Sequence, residues 1–434
     1  MAMQSKKKIM IAAIAGSMAA ALIIGGGSFA FLKDNAETIT NNFKTNKVDV
    51  DLDEDKGEEQ NYQYEIIPGT EQEKDPLATI DNTVDAYLFV TVTDKTEDLV
   101  TYTIADGWTP LAGHDGVYYR EVAADATDKE FPILKDNKVS YETTIENDDM
   151  EGKENLKLSF DVFGIQKAGF ADAAAAYAQA PVKAGTGAEI TAAITNAGTN
   201  PVTIQLPDDV KDANGSKTSN GQKVTIDLNN KTMSIGTPVG STNTVTNGAQ
   251  LLKGSTVTIK NGTYGVDATG NNKVKLLIQN YSDLTLEDVT LDGVTNANLV
   301  GTVLSSNYGT TIIKGNTNIT AKAGATAIDV MDWVNSAYKD EGVVCIIDES
   351  MTGTVDGKIE VYQYDEPAGK IITYATDVFA GTKTYSYAAT KPELIIKGGT
   401  FKNTGLTLDQ FKNFVADGYK ATEESAGVYV VTKA

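Results

Sequence analysis

Short apolar phrases recur along the second half of the chain at a nearly regular spacing. The first four begin at Val224, Val257, Leu284 and Thr311, and their starts are 33, 27 and 27 residues apart. Asn, Gly or Asp residues follow these phrases and favour tight turns. A period of about 20 to 50 residues is typical of stacked repeats. Seven phrases form the series: Val224-Thr225-Ile226, Val257-Thr258-Ile259, Leu284-Thr285-Leu286, Thr311-Ile312-Ile313, Val344-Cys345-Ile346, Ile371-Ile372-Thr373 and Leu394-Ile395-Ile396.

This spacing predicts a right-handed parallel β-helix over residues 188–434. A strand rises about 3.3 Å per residue, so a coil of roughly 22 to 33 residues can close into a three-sided rung. Stacked rungs bury their inward side chains in one column. The expected inward residues are Val224, Ile226, Val257, Ile259, Leu284, Leu286, Ile313, Leu394 and Ile396.

The two open ends of such a column expose strand edges and need covers. Two segments are suited to this role. Residues 187–198, "GAEITAAITNAG", precede the first rung. After the last rung, a helical period places four apolar side chains on one face, Leu408, Phe411, Phe414 and Val415. We therefore expect short capping helices at both ends.

The first part of the chain alternates apolar and polar residues with a period of two, which is typical of half-buried strands. This pattern predicts a β-sandwich over residues 31–170, with turns at Pro68-Gly69 and Asp106-Gly107. An alanine-rich segment, residues 171–187, predicts a linker with one short helix that ends before Pro181. The whole chain is thus predicted to be all-β. Three runs carry the alternation: Val48, Val50 and Leu52; Tyr87, Phe89 and Val92; and Leu156, Leu158, Phe160 and Val162.

The N-terminus has the pattern of a secretory signal peptide. Lys6 to Lys8 are followed by an apolar run from Ile9 to Ile24 and then by the small-x-small sequence Ser28-Phe29-Ala30. Cleavage after Ala30 would make Phe31 the first mature residue, so residues 1–30 are predicted to be the leader. A retained anchor is the alternative, because the run is long enough to span a bilayer. The predicted location is extracellular, either secreted or at the cell surface.

Composition and charge exclude several classes of function. The chain of 434 residues has 37 basic and 59 acidic side chains and a formal charge of -22, and Arg120 is its one arginine. A surface that binds nucleic acid is therefore excluded. One cysteine, Cys345, and one histidine, His114, cannot form an intrachain disulfide, a Cys/His zinc site or a Cys-His dyad. We expect His114 to be a loop residue and Cys345 a buried structural thiol.

The acidic run Asp49–Glu59 has a loose likeness to a calcium loop. Glu54 stands where an EF-hand register starting at Asp49 requires glycine, so a solvated strand face that continues into an acidic loop is the preferred interpretation. No cofactor and no metal site are predicted, and calcium is the alternative. Trp108 and Trp333 could stack on sugars, but packing in a core or at an edge is the preferred interpretation for both.

The candidate catalytic carboxylates of the second part are two adjacent pairs, Asp208-Asp209 and Glu287-Asp288. Neighbours on a strand point to opposite faces, whereas glycoside hydrolysis needs two carboxylates on one site. Residues 171–434 contain no arginine that could act as a lyase base, and a lysine-based lyase is the alternative. No enzymatic activity is predicted.

Several phrases of the first part resemble one known family. "GGGSFAFLKDNAETITNNFKTNKVDVDLDE", "YEIIPGTEQEKDPLATIDNTVDAYLFVTVTD" and "LKLSFDVFGIQKAGF" resemble the TasA/camelysin-type proteins, which are exported through a SipW-type signal peptidase. The resemblance implies a secreted jelly-roll sandwich that assembles into fibres by donating its N-terminal strand to the next subunit. Metalloprotease activity, described for camelysins, is in doubt because the chain has no HExxH motif. The donor strand would carry Phe31, Leu32, Ile39 and Phe43.

Residues 188–434 resemble the pectate-lyase-like surface repeats of secreted bacterial proteins. The phrases that carry this resemblance are "AAITNAGTNPVTIQLPDDV" and "GGTFKNTG", and they indicate a fold more than an activity. Together these patterns predict a secreted, nonenzymatic cell-surface or extracellular-matrix protein of the biofilm type. Its expected partners are other copies of itself and a surface or matrix polysaccharide or protein. A polysaccharide-binding or polysaccharide-cleaving β-helix protein is the alternative.

Overall fold

Strands supply most of the regular structure, antiparallel in the first part of the chain and mainly parallel in the second. The computed structural model describes residues 46–54, 64–153, 156–241, 245–267, 274–295, 301–334, 338, 342–365, 369–381 and 391–434. The chain divides into two units, residues 1–46 and 47–434, and every strand below belongs to the second. The predicted all-β class is confirmed.

In its described residues, the first part of this unit contains a 3-10 turn at Lys135–Asn137, nine strands and two short α-helices. They are β1 (Val48–Asp53), β2 (Glu71–Glu73), β3 (Leu77–Asn82), β4 (Ala86–Lys95), β5 (Thr109–Pro110), β6 (Val117–Val122), β7 (Glu130–Pro132), β8 (Lys138–Ser140), α1 (Asn147–Met150), β9 (Lys157–Gln166) and α2 (Ala173–Tyr177).

These strands form three antiparallel sheets, which we call the N-terminal sheets. Their orders are β1-β3-β7, β5-β6-β4-β9 and β2-β8. The two larger sheets share one apolar core, to which β3 contributes Ile80 and β4 contributes Leu88 and Val90. On β1, Val48, Val50 and Leu52 pack against this core, whereas the alternating aspartates are exposed. The predicted alternation of β1 is confirmed.

The chain's one arginine, Arg120, is half-buried and stacks its guanidinium on two aromatic rings of this core. Its guanidinium carbon lies 4.5 Å from the ring centroid of Trp108 and 4.3 Å from that of Phe131. The indole of Trp108 donates a hydrogen bond of 2.8 Å to the carbonyl of Pro132, and Trp108 is 8% exposed. Arg120 and Trp108 therefore stabilise the N-terminal sheets by packing.

Residues 171–187 connect to both parts of the unit. The predicted short helix is α2, capped by the carboxylate of Asp172, which accepts a hydrogen bond of 2.8 Å from the amide of Ala175. Tyr177 of α2 packs on Phe89, with 5.2 Å between ring centroids, and its hydroxyl lies 3.0 Å from that of Thr91. Five residues beyond α2, Val182 and Lys183 pair in parallel with Ile204 and Gln205 of the second part.

The second part contains the remaining strands and helices. They are β10 (Val182–Lys183), α3 (Gly187–Ala197), β11 (Pro201–Gln205), β12 (Val210–Asn214), β13 (Ser216–Thr218), β14 (Lys223–Thr237), β15 (Asn247–Leu251), β16 (Thr256–Val266), β17 (Leu276–Asn280), β18 (Asp283–Gly293), β19 (Thr302–Ser306), β20 (Gly309–Lys314), β21 (Asn318–Ala321), β22 (Thr326–Val334), β23 (Val343–Ile347), β24 (Thr354–Asp356), β25 (Lys358–Asp365), β26 (Lys370–Thr373), β27 (Pro392–Ile396), β28 (Thr400–Lys402), α4 (Leu408–Lys412), β29 (Tyr419–Ser425) and β30 (Val428–Lys433).

Six of the seven apolar phrases lie on one parallel ladder, which we call the first ladder. It consists of β11, the first halves of β14, β16 and β18, and then β20, β23 and β27. Within it, Ile226 pairs with Ile259, and Ile259 pairs with Leu286. These phrases therefore lie in register on directly neighbouring strands.

Two further ladders run beside the first. The second ladder contains β12, the second halves of β14, β16 and β18, and β21, β24 and β28. The third ladder contains β13, β15, β17, β19, β22 and β25. All three ladders contribute to a single buried cluster, for example Ile259 from the first, Tyr264 from the second and Ile278 from the third. The core therefore lies between the ladders.

Left-handed residues mark the corner between the first and second ladders. Asn229, Asn261 and Asp288 occupy this corner with φ of 51°, 57° and 51°. Asn and Asp tolerate this region better than other residues with a side chain, which explains why the apolar phrases are followed by these residue types. The corner lets a single strand such as β14 belong to both ladders.

One of the predicted phrases is placed differently by the structure. Ile371, Ile372 and Thr373 lie on β26, which pairs antiparallel with β25 and does not continue the first ladder. The reason is the short connection from Asp365 to Lys370, because a parallel crossover needs a dozen or more residues. β23 continues the first ladder, and its buried residues are Val343, Cys345 and Ile347, so Cys345 is the inward residue of the phrase Val344-Cys345-Ile346.

Helices lie at both ends of the buried cluster. At the N-terminal end α3 begins at a capping box between Thr186 and Glu189 and buries Ile190 and Ile194. At the C-terminal end α4 buries Phe411. The C-terminal helix is shorter than predicted, because the chain leaves α4 after Lys412.

The chain beyond α4 pairs with the last strand of the first ladder. The amide of Ile396 donates to the carbonyl of Phe414, and the amide of Ala416 donates to the carbonyl of Ile396. Phe414 is buried, and Leu408 and Val415 pack against the same cluster. The four predicted cap residues therefore share one core, although only two of them belong to the helix.

Candidate binding surface

The nine residues predicted to face inward are all buried in the cluster between the ladders: Val224, Ile226, Val257, Ile259, Leu284, Leu286, Ile313, Leu394 and Ile396. The predicted cleavage site, Ala30 and Phe31, and the predicted donor residues, Phe31, Leu32, Ile39 and Phe43, lie outside the described residues. Of the acidic run, Asp49, Asp51 and Asp53 are exposed on β1, as expected of a solvated strand face.

His114 and Cys345 are placed as the sequence predicts. His114 is an exposed turn residue whose ring meets that of Tyr177 edge-on at 5.1 Å. Cys345 is fully buried on β23, and this burial raises the pKa of its thiol to about 12. A thiol in such surroundings is a poor nucleophile at neutral pH.

The adjacent acid pairs do not form a two-carboxylate site. Glu287 makes an ion pair of 3.0 Å with Lys314, whereas Asp288 lies in the left-handed corner and accepts a hydrogen bond from the amide of Asn316. Asp209 accepts a hydrogen bond of 2.8 Å from the amide of Thr232. Glu287, Asp288 and Asp209 each have a local structural partner, and Asp208 is exposed.

The outward face of the third ladder carries a continuous row of polar side chains. Ala249, Ile278, Leu304, Ile328 and Ile359 point into the core, so the next residue on each strand points outward. These outward residues are in register from strand to strand, and we call them the polar row: Gln250, Gln279, Ser305, Asp329 and Glu360.

Side chains of the polar row bond to one another and to their neighbours. The amide nitrogens of Asn247 and Gln250 both donate to Oε1 of Gln279, at 2.9 and 3.0 Å. The amide of Gln279 in turn donates to the hydroxyl of Tyr281 at 3.1 Å. At the far end, the hydroxyl of Thr326 donates to Glu360 at 2.8 Å. These hydrogen bonds therefore hold the side chains of the polar row in place.

Asp329 is the unusual member of the polar row. It is only 5% exposed, and its Oδ1 accepts no hydrogen bond. Burial raises the pKa of Asp329 to about 7, the neighbouring hydroxyls of Ser305 and Thr302 oppose this rise, and the charge of Glu360 adds to it. Asn307 is 2% exposed, accepts a hydrogen bond from Ser305 at Oδ1 and has no partner for Nδ2. A buried donor and a buried acceptor are thus left without partners beside Ser305.

Four aromatic residues gather where strands of the third ladder end, and we call them the aromatic cluster: Tyr281, Tyr308, Trp333 and Tyr338. The ring of Tyr338 lies 5.0 Å from Tyr281 and 5.7 Å from both Tyr308 and Trp333. Its stacking on Tyr281 and Trp333 is near-parallel, with interplanar angles of 25° and 22°. Tyr308, Trp333 and Tyr338 are half-buried, so part of the cluster contacts solvent.

The two tryptophans therefore differ in surroundings. Trp108 packs in the core of the N-terminal sheets, whereas Trp333 belongs to the aromatic cluster.

Sequence reasoning missed the tyrosines of the aromatic cluster and Asp329. One signal was present, because Tyr281 and Tyr308 are 27 residues apart, the same spacing as the phrases that begin at Leu284 and Thr311.

Two kinds of feature are absent from the described part of the chain. Among those residues, no group of three or more His, Cys, Asp or Glu side chains is arranged to hold a metal ion. Within the same residues, no helix is both long and apolar enough to cross a membrane.

Comparisons of this chain with protein families, with curated proteins and with solved structures find no match.

Asp329→Asn is expected to make the protein more stable than the wild type above pH 7, but not at pH 4. In the wild type the folded state holds the proton up to about pH 7, whereas an unfolded aspartate releases it near pH 3.8. Stability is therefore lost as the pH rises between these values. Removing the group should recover up to about 4 kcal/mol. Urea unfolding from pH 4 to 8 measures the difference.

Glu360→Gln is the matched control, because it removes the neighbouring, exposed carboxylate and leaves Asp329 in place. At each pH its free energy of unfolding should stay close to that of the wild type, with a much smaller gain than that of Asp329→Asn. Parallel pH profiles for Asp329→Asn and wild type would contradict the assigned burial of this carboxyl.

Proposed function

We propose that this protein is a secreted, nonenzymatic structural protein of the cell surface or extracellular matrix, which assembles by donating its N-terminal segment to a neighbouring copy. The proposal includes an export leader over residues 1–30 and a sandwich of the TasA/camelysin type over the N-terminal sheets. It also interprets the three ladders as a right-handed parallel β-helix. The observation that carries the proposal is the position of β9.

β9 is an edge strand with apolar residues on both faces. It pairs with β4 along all ten residues, and no described strand pairs with its other edge. Phe160 packs towards the core between the larger N-terminal sheets, and Phe163 packs towards α2. A long edge with backbone groups available is a template for strand addition.

The segment that follows the predicted cleavage site has the features of a donor. Phe31, Ile39 and Phe43 are all at odd positions, so an extended chain would present them on one face. The segment is otherwise polar, and such a short apolar set does not form a stable element alone. Pairing with β9 of another copy would satisfy its backbone groups.

The geometry of such a contact favours a filament. The donor is the N-terminal segment and the acceptor is β9, so the two surfaces differ and the contact is heterologous. Heterologous contacts need not close into a ring. The second part of each copy would then decorate the filament.

A synthetic peptide of residues 31–46 tests the proposal directly. We expect it to bind saturably to a chain that starts at Lys47, because that chain keeps β9 and lacks its own donor. Fluorescence anisotropy of the labelled peptide measures binding. Hydrogen exchange should show new protection of amides in β9.

The control peptide carries aspartate in place of Ile39 and Phe43, which removes most of the apolar face at equal length. It should bind at least tenfold more weakly. Absence of binding by the native peptide, or protection confined to strands other than β9, would reject β9 as the acceptor.

A further inference from the structure

The outward face of the first ladder, which we call the ladder face, changes from threonine to isoleucine along the stack. Its middle column consists of one residue per strand, in register from β14 to β27: Thr225, Thr258, Thr285, Ile312, Ile346 and Ile395. All six are half-buried, and the three isoleucines lie outside the cluster between the ladders. Part of each apolar side chain therefore remains exposed. A row of such side chains is typical of an interaction surface.

A second column of the ladder face alternates in charge. Lys260, Glu287 and Lys314 are in register on β16, β18 and β20, and Asp348 comes directly after β23, the next strand. The ammonium of Lys314 lies 3.0 Å from the carboxylate of Glu287. These four half-buried charges sum to zero, whereas the whole chain carries a formal charge of -22. The column therefore lacks the negative charge by which two copies would repel each other.

We infer that the ladder face binds the ladder face of a second copy across a two-fold axis that runs parallel to the strands, between β18 and β20. Such an axis keeps the strand direction and reverses the order of the strands, so that β16 of one copy faces β23 of the other. Glu287 then faces Lys314, Lys260 faces Asp348, and each pair occurs twice. Opposite charges meet at all four positions because an alternating series of even length is its own complement when reversed. The contact is isologous.

The same axis brings the two kinds of middle-column residue together. Thr285 of one copy faces Ile312 of the other, for example, so isoleucine packs on the methyl group of threonine. The other possible two-fold axis runs along the stack and would place Glu287 opposite the exposed Asp283 of the second copy. Like charges that face each other disfavour this arrangement. Charge thus selects the axis parallel to the strands.

The size of the ladder face predicts a weak contact. Six strands spaced about 4.8 Å apart and five residues rising about 3.3 Å each cover about 24 by 13 Å. A stable complex buries about 800 Å² on each partner, so free copies remain monomeric. In the proposed filament the contact would be repeated, and its copies would act together. This last step rests on the proposed function, whereas the contact between two ladder faces does not.

Disulfide trapping of the variant with Thr258→Cys and Ile346→Cys tests the contact. The axis brings these two positions together across the contact. Within one copy they are three strand spacings apart, about 14 Å, which is too far for a disulfide. Cys345 is fully buried and does not compete. At high protein concentration, we expect diamide to convert most of the chain that starts at Phe31, and most of the chain that starts at Lys47, into covalent dimers on non-reducing gels.

Thr225→Cys with Ile346→Cys is the matched control, because it also replaces one threonine and one isoleucine of the middle column. Thr225 faces Ile395 rather than Ile346, so these cysteines do not meet, and dimers should form about fivefold more slowly or less. Thr225→Cys with Ile395→Cys is a second facing pair, which decides the result if melting curves show that the first pair is unfolded. Equal rates for the facing and control pairs would refute the inference.

A charge swap tests the alternating column. In the chain with Thr258→Cys and Ile346→Cys, the change Lys260→Glu places a carboxylate opposite Asp348 and should slow trapping about fivefold. Adding Asp348→Lys restores opposite charges across the contact and should restore the rate. The two positions are three strands apart within one copy, so a purely local effect of Lys260→Glu would not be rescued. Failure of the rescue would refute the assigned axis.

The contact and the proposed filament are separable by experiment. Light scattering of the same preparations reports assembly, which depends on the N-terminal segment and β9. A protein that assembles but shows no selective trapping in either chain refutes this inference alone. Selective trapping in a chain that starts at Phe31 and stays monomeric before oxidation refutes the proposed assembly alone.

Discussion

Ile259→Asp is expected to lower the free energy of unfolding by roughly 3 to 5 kcal/mol. Ile259 is 1% exposed and stacks between Ile226 and Leu286 on the first ladder. A carboxylate at this position would lie in an apolar column without a cation or a hydrogen-bond donor, and it would also leave a packing defect. Urea unfolding monitored by circular dichroism measures the change.

Thr258→Asp provides the matched comparison, one residue away on the same strand. Thr258 is half-buried on the outward face between Thr225 and Thr285, so the new carboxylate remains hydrated. We expect a loss below about 1 kcal/mol, mainly from the lower strand propensity of aspartate. Equal midpoints for the two variants would refute the register of the first ladder.

A chain that starts at Phe31 is expected to form assemblies that grow with concentration, whereas a chain that starts at Lys47 stays monomeric. Lys47 is a suitable boundary because it already contacts the folded unit. Its amide donates to the hydroxyl of Thr83 at 2.8 Å, and its ammonium lies 3.0 Å from Asp81. The shorter chain therefore keeps β1 and loses only the predicted donor. Multi-angle light scattering across a wide concentration range distinguishes the two outcomes.

A full-length control separates the apolar donor side chains from chain length. The chain that starts at Phe31 with both Ile39→Asp and Phe43→Asp has the same number of residues but lacks two of the three apolar side chains that share a face. It should behave like the chain that starts at Lys47. Monomeric profiles for all three proteins would remove the assembly hypothesis.

The first ladder was predictable because its signal is local. Each phrase alternates apolar and polar residues with the period of a strand, and the spacing of 27 residues from Val257 to Leu284 brings the same positions into register. Where the residues on both sides of a phrase are also apolar, the sequence does not show which residues of the strand face the core. Val344 and Ile346 are as hydrophobic as Val343 and Ile347, so the pattern alone does not show which pair points inward.

The antiparallel course of β26 shows a second limit of apolar patterns. Ile371 and Ile372 have the composition of a buried strand, yet Ile371 is more than half exposed. The decisive feature is the short connection to β25, which restricts the chain to a hairpin. Connection length, rather than hydrophobicity, set the direction of this strand.

The sequence by itself determined the all-β class, the stacked register of the first ladder, the burial of Cys345 and the exposure of His114. These properties follow from short-range alternation and from composition. Only the tertiary structure decided where the candidate binding surface lies. Tyr281, Tyr308 and Trp333 are distant in sequence, and the parallel stacking of strands about 4.8 Å apart brings them together. The burial of Asp329 was likewise decided by the tertiary structure, because strand alternation alone places this residue on an outward position.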